Sequence, residues 1–307
     1  MGSLFMTGAS GFVGRHFLSK YADQFDRIIL PLRKTPEFEI PKNAVVRKII
    51  GTSDEIAGLL RAAPCDFVLN SAAYGISPSA REEEQMIAVN TELPVQLARA
   101  AQDIGAKKFV QLGTMSEYRP IESERPTRET DTLIEAVKGY GASKAAATQK
   151  LKTLSETGKT HISCLRLFGI FGPGEGPHRL LVSLYRTLSN GQTAPMSAGT
   201  QVRDFIYVYD VIDAIYRAIK QPLNGTFSVF NIGSGQGTSV GDFAKMFCGI
   251  GGFRPDQLDL GALPMRDTDV AYIVANIEAA KQGLDWSPKW STEAAIEHYL
   301  KYLSIML

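Results

Sequence analysis

Leu4-Phe5-Met6-Thr7-Gly8-Ala9-Ser10-Gly11-Phe12-Val13-Gly14 passes from an apolar run through a glycine-punctuated turn into helical spacing. Such a turn aims free backbone N–H groups and the positive end of a helix dipole at an anion, and its glycines carry no Cβ to block close approach. The spacing is Gly-x-x-Gly-x-x-Gly, which also serves ordinary tight strand-to-helix turns. It marks a diphosphate site only in the right surroundings, and Gly8, Ser10, Gly11, Phe12, Val13 and Gly14 are what it offers to one.

Working outward, strand and helix signals alternate as they do in a parallel sheet covered on both faces. Strands are expected at Ser3–Met6, Arg27–Leu32, Ala44–Ile49, Phe67–Ser71, Lys108–Leu112 and Ile162–Phe168, and helices over Phe12–Tyr21, Asp54–Ala62, Gln85–Ile104 and Ala142–Thr157. Pro94 should bend the third helix. The run Phe168-Gly169-Ile170-Phe171-Gly172-Pro173-Gly174-Glu175-Gly176-Pro177 breaks the pattern. Beyond it, helices near 180–190, 211–220, 240–247 and 293–303 and strands near 205–208 and 230–232 suggest a smaller lobe. The expectation is an α/β chain with a Rossmann-type, doubly wound parallel sheet over 1–169. A smaller C-terminal α/β lobe, mainly for substrate, covers 170–307, with the chain crossing back at least once.

Composition narrows the function classes. With 33 basic and 32 acidic residues in 307, the chain has no broad positive field for nucleic acid. No apolar run is long enough to cross a bilayer and no leader pattern opens the chain, so a cytoplasmic protein without a membrane partner is expected. Cys65, Cys164 and Cys248 are scattered, as are the four histidines, and neither set has metal-ligand spacing. No metal is expected.

In such a sheet the ligand crevice lies beyond the carboxyl ends of the strands. Arg33 and Lys34 follow the second strand, Ala72, Ala73 and Tyr74 the fourth, and Gly113-Thr114-Met115-Ser116-Glu117-Tyr118 the fifth. Tyr140-Gly141-Ala142-Ser143-Lys144 opens a helix, and a spacing of four puts phenol and ammonium on one side. A tyrosine titrates near pH 10, so a cation beside it makes a usable acid or base. Alone, Tyr-x-x-x-Lys is a common surface pair. With the glycine turn and a hydroxyl residue after the fifth strand it becomes a candidate catalytic set.

These motifs resemble those of the extended short-chain dehydrogenase/reductases that act on nucleotide sugars, the epimerases, dehydratases and 4-ketoreductases. The likeness covers nearly the whole chain: Thr7 to Gly14, Asn70-Ser71-Ala72-Ala73, Asn90, Thr114 to Tyr118, Tyr140 with Lys144, Arg166-Leu167-Phe168, Gln201 to Val208 and Asn231 to Gly235. Gly261 to Arg266 and Gly283 to Pro288 look most like the branch with abequose-synthase-like reductases. The resemblance implies that Tyr140 protonates a sugar ketone, that Lys144 lowers its pKa and binds the nicotinamide ribose, and that Thr114 hydrogen-bonds the carbonyl. It places Ala72, Ala73 and Asn90 with the glycine turn around the cofactor. Arg203, Arg266 and Asp269 take the substrate's nucleotide diphosphate and ribose, with surface ion pairs to the neighbouring Asp204 and Asp267 as the alternative for the arginines. Tyr74, Ser116 and Gly169 line the sugar pocket, Gly169 standing where many members carry Asn. A dimer through the helices at 85–104 and 142–157 is also implied.

Two details select within the family. Dehydratases place an acidic pair after the hydroxyl residue, whereas this chain has Met115 and Ser116. No acid ends the second strand to bind a ribose 2′-hydroxyl, so Arg33, with Lys34, favours NADP(H) over NAD(H). The expected activity is NADPH-dependent reduction of a CDP- or dTDP-linked 4-keto-6-deoxysugar. A nucleotide-sugar 4-epimerase with bound NAD is the alternative, and a nucleotide sensor without chemistry a third.

Overall fold

The structure is a computed structural model, and it describes residues 1–306 apart from Pro78, Glu122, 136–137 and 266–268. The first half runs β1 (Ser3–Thr7), α1 (Phe12–Tyr21), β2 (Arg27–Leu32), β3 (Ala44–Lys48), α2 (Ser53–Ala62), β4 (Phe67–Asn70), α3 (Glu83–Ile87), α4 (Leu93–Asp103), β5 (Lys108–Thr114), α5 (Tyr140–Ser155) and β6 (His161–Leu167). The second half adds β7 (Gly169–Phe171), α6 (Leu180–Ser189), β8 (Ala194–Met196), β9 (Val202–Tyr207), α7 (Val208–Lys220), β10 (Phe227–Ile232) and β11 (Gly237–Ser239). It ends with α8 (Val240–Ile250), β12 (Leu258–Leu260), β13 (Tyr272–Ile273), α9 (Glu278–Leu284) and α10 (Thr292–Met306).

The described residues build a seven-stranded parallel sheet in the order β10-β6-β5-β4-β1-β2-β3. The order reverses between β1 and β4, and that switch opens a crevice at the strands' carboxyl ends. Both faces are covered. Leu4 and Met6 of β1 point to the side packed by α1, α7 and α9, while Phe5 between them points to the side packed by α2, α4 and α5. A third core, around Phe171, Leu181, Phe243, Phe247 and Tyr299, holds the smaller part. There β9 is paired by β11 and β13 over its first half and by β7 over its second.

Two expectations are corrected here. The strand read near 230–232 as part of the smaller lobe is the last strand of the main sheet, with Asn231 opposite Arg166. The helix read as continuous over Gln85–Ile104 is two helices joined by a wide π-type turn, Ala88–Glu92. Pro94 sits in the first turn of α4 and has no N–H to give to the preceding turn, and the chain widens just before it. Among the described residues no helix is long and apolar enough to cross a membrane.

The opening turn is close-packed. Gly8 has φ +70°, and a Cβ at Gly14 would lie 2.2 Å from the Gly8 carbonyl oxygen. Replacing Gly14 with alanine must therefore part α1 from the turn. A loss of about 1–3 kcal/mol is expected in urea unfolding; an unchanged midpoint would show that the contact is relaxed without cost.

Candidate active site

A cleft of about 750 Å³ runs along the carboxyl edge of the sheet. At one end Gly8, Ser10, Gly11, Phe12, Val13 and Gly14 line it. No side chain caps the N-terminus of α1, so the first N–H groups of the helix have no acceptor of their own. A tight glycine turn with free amides at the mouth of a cleft fits the diphosphate of a dinucleotide. Ala72 and Ala73 form the adjoining wall. Arg33 also lines the cleft, its aliphatic stem against Gly51, whereas Lys34, exposed as Arg33 is, lies off the lining.

Thr114, Tyr140 and Lys144 line the same cleft further along. Glu117, without access to solvent, fixes the first of them. Its carboxylate accepts from the Thr114 backbone N–H at 2.9 Å and from the Thr148 hydroxyl at 2.8 Å, and pairs with Arg166 Nε at 3.0 Å. The Ser116 N–H donates to the Thr114 hydroxyl oxygen at 3.3 Å, which leaves that hydroxyl's own proton free to donate. Arg166 continues the network. It donates to the Tyr118 hydroxyl at 2.8 Å, and that hydroxyl donates to Asn231 Oδ1 at 2.6 Å.

Tyr140 begins α5, whose second residue Gly141 lets the helix touch the Thr114 turn: a Cβ there would lie 2.1 Å from the Ser116 carbonyl oxygen. Burial, reinforced by Glu117, pushes the Tyr140 phenol well above its ordinary range, with the Thr114 hydroxyl and the Arg179 guanidinium pulling the other way. Burial brings Lys144 down to about 8. Its ammonium donates to the Leu112 carbonyl at 2.9 Å. The cation whose charge opposes the rise at the phenol is Arg179.

Several other expected residues stand elsewhere. Asn90 is fully buried and does not line the cleft. Its side chain bonds the Tyr74 N–H and carbonyl at 3.0 and 2.8 Å and the Ser143 hydroxyl at 3.0 Å, so it fixes the loop after β4 to α5 and leaves the cofactor wall to others. Tyr74 and Ser116 line the cleft as expected. Gly169 lines it too, but a Cβ there would meet the Asp204 carbonyl oxygen at 2.6 Å, so an Asn side chain has no room while β7 pairs with β9. Arg203 lies off the cleft lining. It donates to the carbonyls of Val202 and Val270 and pairs with Asp269 at 3.7 Å. The expected diphosphate clamp is thus an ion pair, though with Asp269 and not with Asp204, whose carboxylate accepts from Ser234, Gly235 and Ala275. Arg266 lies outside the described residues.

Sequence reasoning missed a further cation of the cleft wall. Arg179, just before α6, lines it together with Thr114, Tyr140 and Lys144, donates to the Ile170 carbonyl at 3.0 Å and lies 3.5 Å from Glu175. Its signal was the glycine- and proline-rich run just before it, read only as a boundary.

Residues 4–233 match the sequence model of the NAD dependent epimerase/dehydratase family. Among curated proteins the chain is 25% identical to dTDP-6-deoxy-L-talose 4-dehydrogenase (NAD(P)(+)) of Kitasatospora kifunensis, over 94% of this chain and 92% of that one. It is 28% identical to the CDP-abequose synthase of Salmonella typhimurium over 45% of this chain and 47% of that one. Among solved structures, UDP-glucose 4-epimerase of Thermotoga maritima, with UDP-glucose, superposes with a TM-score of 0.87 at 24% identity, covering 99% of each chain.

Arg166→Met would leave Glu117 buried without its cation. A loss of about 3–5 kcal/mol is expected in chemical denaturation, and a loss below about 1 kcal/mol would show that Thr114 does not depend on the pair.

Proposed function

The chain belongs to the NAD dependent epimerase/dehydratase family, and from that premise we propose that it reduces a nucleotide-linked 4-keto-6-deoxysugar with NADPH. It is an NAD(P)-dependent enzyme of the extended short-chain dehydrogenase/reductase type, acting on a nucleotide sugar. The observation that carries the finer reading is the turn after β5. Thr114 is followed by Met115 and Ser116, so the cleft lacks the paired acids that elimination of water needs next to the hydroxyl, and the chemistry left to Thr114 and Tyr140 is proton donation to one oxygen.

The glycine turn, Ala72, Ala73 and Arg33 would hold the dinucleotide, with Lys144 at its nicotinamide end. When bound, the nicotinamide supplies the reducing equivalent. Thr114 and Tyr140 then act on the ketone oxygen: two hydroxyls placed in advance stabilise the charge that grows there, and the phenol, held protonated by its surroundings, gives up its proton. Arg179, in the wall of the same cleft, suits the sugar's diphosphate, the part first expected of Arg203. Arg33, on the adenosine side, supports NADP(H), and CDP- and dTDP-linked sugars are the first substrates to try. A nucleotide-sugar 4-epimerase is the second reading, favoured by the epimerases among relatives with the same fold.

Incubation with NADPH and, separately, CDP-, dTDP-, GDP- and UDP-linked 4-keto-6-deoxysugars tests the reading by loss of NADPH absorbance and NMR of the product. Interconversion of 4-hydroxy sugars without added coenzyme would support the epimerase instead. Tyr140→Phe should lower kcat by about 10²–10⁴-fold with coenzyme affinity nearly intact, and near-native turnover would end the assignment. Arg33→Glu should move the preference toward NAD(H), as measured by the ratio of kcat/KM for the two coenzymes; an unchanged ratio would remove Arg33 from that role.

A further inference from the structure

Glu175, in the loop between β7 and α6, is used by none of the chemistry above. It lies in the cleft wall with a side chain only 4% exposed. One carboxylate oxygen faces Arg179 Nε at 3.5 Å. The other, Oε1, is buried without a hydrogen-bond partner, and so is the hydroxyl of Tyr299 on α10, which approaches the carboxyl without closing a bond. The charged and titratable groups around the loop are Arg179 at the N-terminus of α6, Tyr299 and Tyr302 from α10, Arg15 and His16 from α1, the latter on the Pro173 carbonyl at 2.7 Å, and His178 within the loop. Arg15 reaches it through the Gly174 carbonyl at 3.2 Å. Among the described residues, Arg179 is the cation within ion-pair distance.

A carboxylate withdrawn from water persists only while a cation compensates it. The side chain of Arg179 is 42% exposed, open to an anion that enters the cleft, and a guanidinium takes phosphate oxygens by two parallel hydrogen bonds. An anion that docks there draws the countercharge away from Glu175 and adds a like charge beside it, and both effects raise proton affinity.

We propose that Glu175 is a proton-linked residue of the binding site: when a diphosphate diester docks on Arg179, the Glu175 carboxylate takes up a proton from solvent. The one bond made is the carboxyl O–H, and the neutral acid can then share a hydrogen bond with Tyr299. Burial already pushes Glu175 up to about 7 against the pull of Arg179, so the uptake falls in the working range. The sign follows. Glu175 is ionised above that range and competes with the ligand for Arg179, so affinity falls as pH rises until the carboxyl of the complex also ionises. The inference rests on the reading of this protein as a nucleotide-sugar enzyme.

Calorimetric titration of the NADPH-loaded protein with CDP-, dTDP-, UDP- and GDP-glucose tests it. The phosphates of these diesters do not titrate near neutrality. Repeating the titration slightly above neutral pH in buffers of different ionisation heat counts the protons taken up. About half to one proton per diester bound is expected, with affinity falling by up to tenfold per pH unit above neutrality. Glu175→Gln should bind with no uptake and a flat pH profile. A native protein that binds a diester without taking up a proton overturns the proposal, and so does unchanged uptake in Glu175→Gln, which would assign the proton to Lys144 or another group. If none of the four diesters binds, the nucleotide-sugar reading falls, and this inference with it.

Discussion

The Glu117 carboxylate is shut away from solvent and tolerable there only because Arg166 stands 3.0 Å from it. That pair crosses from the end of β5 to β6, and through Tyr118 and Asn231 the same network reaches β10. Breaking a buried pair costs far more than forming it yields, so the three strands are tied in one register at the edge of the cleft. The Thr114 turn inherits its geometry from this arrangement. Its backbone N–H is held by the same carboxylate, and its hydroxyl is left free to donate into the cleft.

A second constraint joins the two halves of the chain. His16 and Arg15, in the first turns of α1, bond the carbonyls of Pro173 and Gly174 at 2.7 and 3.2 Å. The helix that would receive a dinucleotide at its N-terminus therefore also holds the loop carrying Glu175 and leading into Arg179. Phe12, His16 and Tyr209 continue the link as edge-to-face rings. The glycine- and proline-rich run that looks like a domain boundary in the sequence is in the structure tied to the first turns of α1.

Much of this was legible beforehand, and the rest was hidden for identifiable reasons. Helix α1 and strand β2 fall where periodicity put them, because amphipathic period and turn residues are local. The motif residues Thr114, Tyr140 and Lys144 line one cleft for the same reason: Thr114 ends a strand, Tyr140 opens a helix and Lys144 lies one turn further on the same side, positions that topology turns toward the crevice. Pairings between distant residues left no such trace. Nothing near Asn90 says that its amide closes on Tyr74 and Ser143, and nothing near Arg203 says that the chain returns at Val270 and Asp269 to occupy it. Strand β10 was assigned to the wrong half because a parallel partner can come from anywhere in the chain.

The electrostatics of the cleft bear on the direction of the chemistry. The chain by itself holds Tyr140 as a neutral phenol, through burial and the nearby Glu117 charge, and draws Lys144 down toward neutrality. A protonated phenol next to a free hydroxyl donor suits an oxygen that is gaining negative charge, which happens when a ketone is reduced. Arg179, another residue of the cleft wall, offsets that bias, and it stands 3.5 Å from the Glu175 carboxylate.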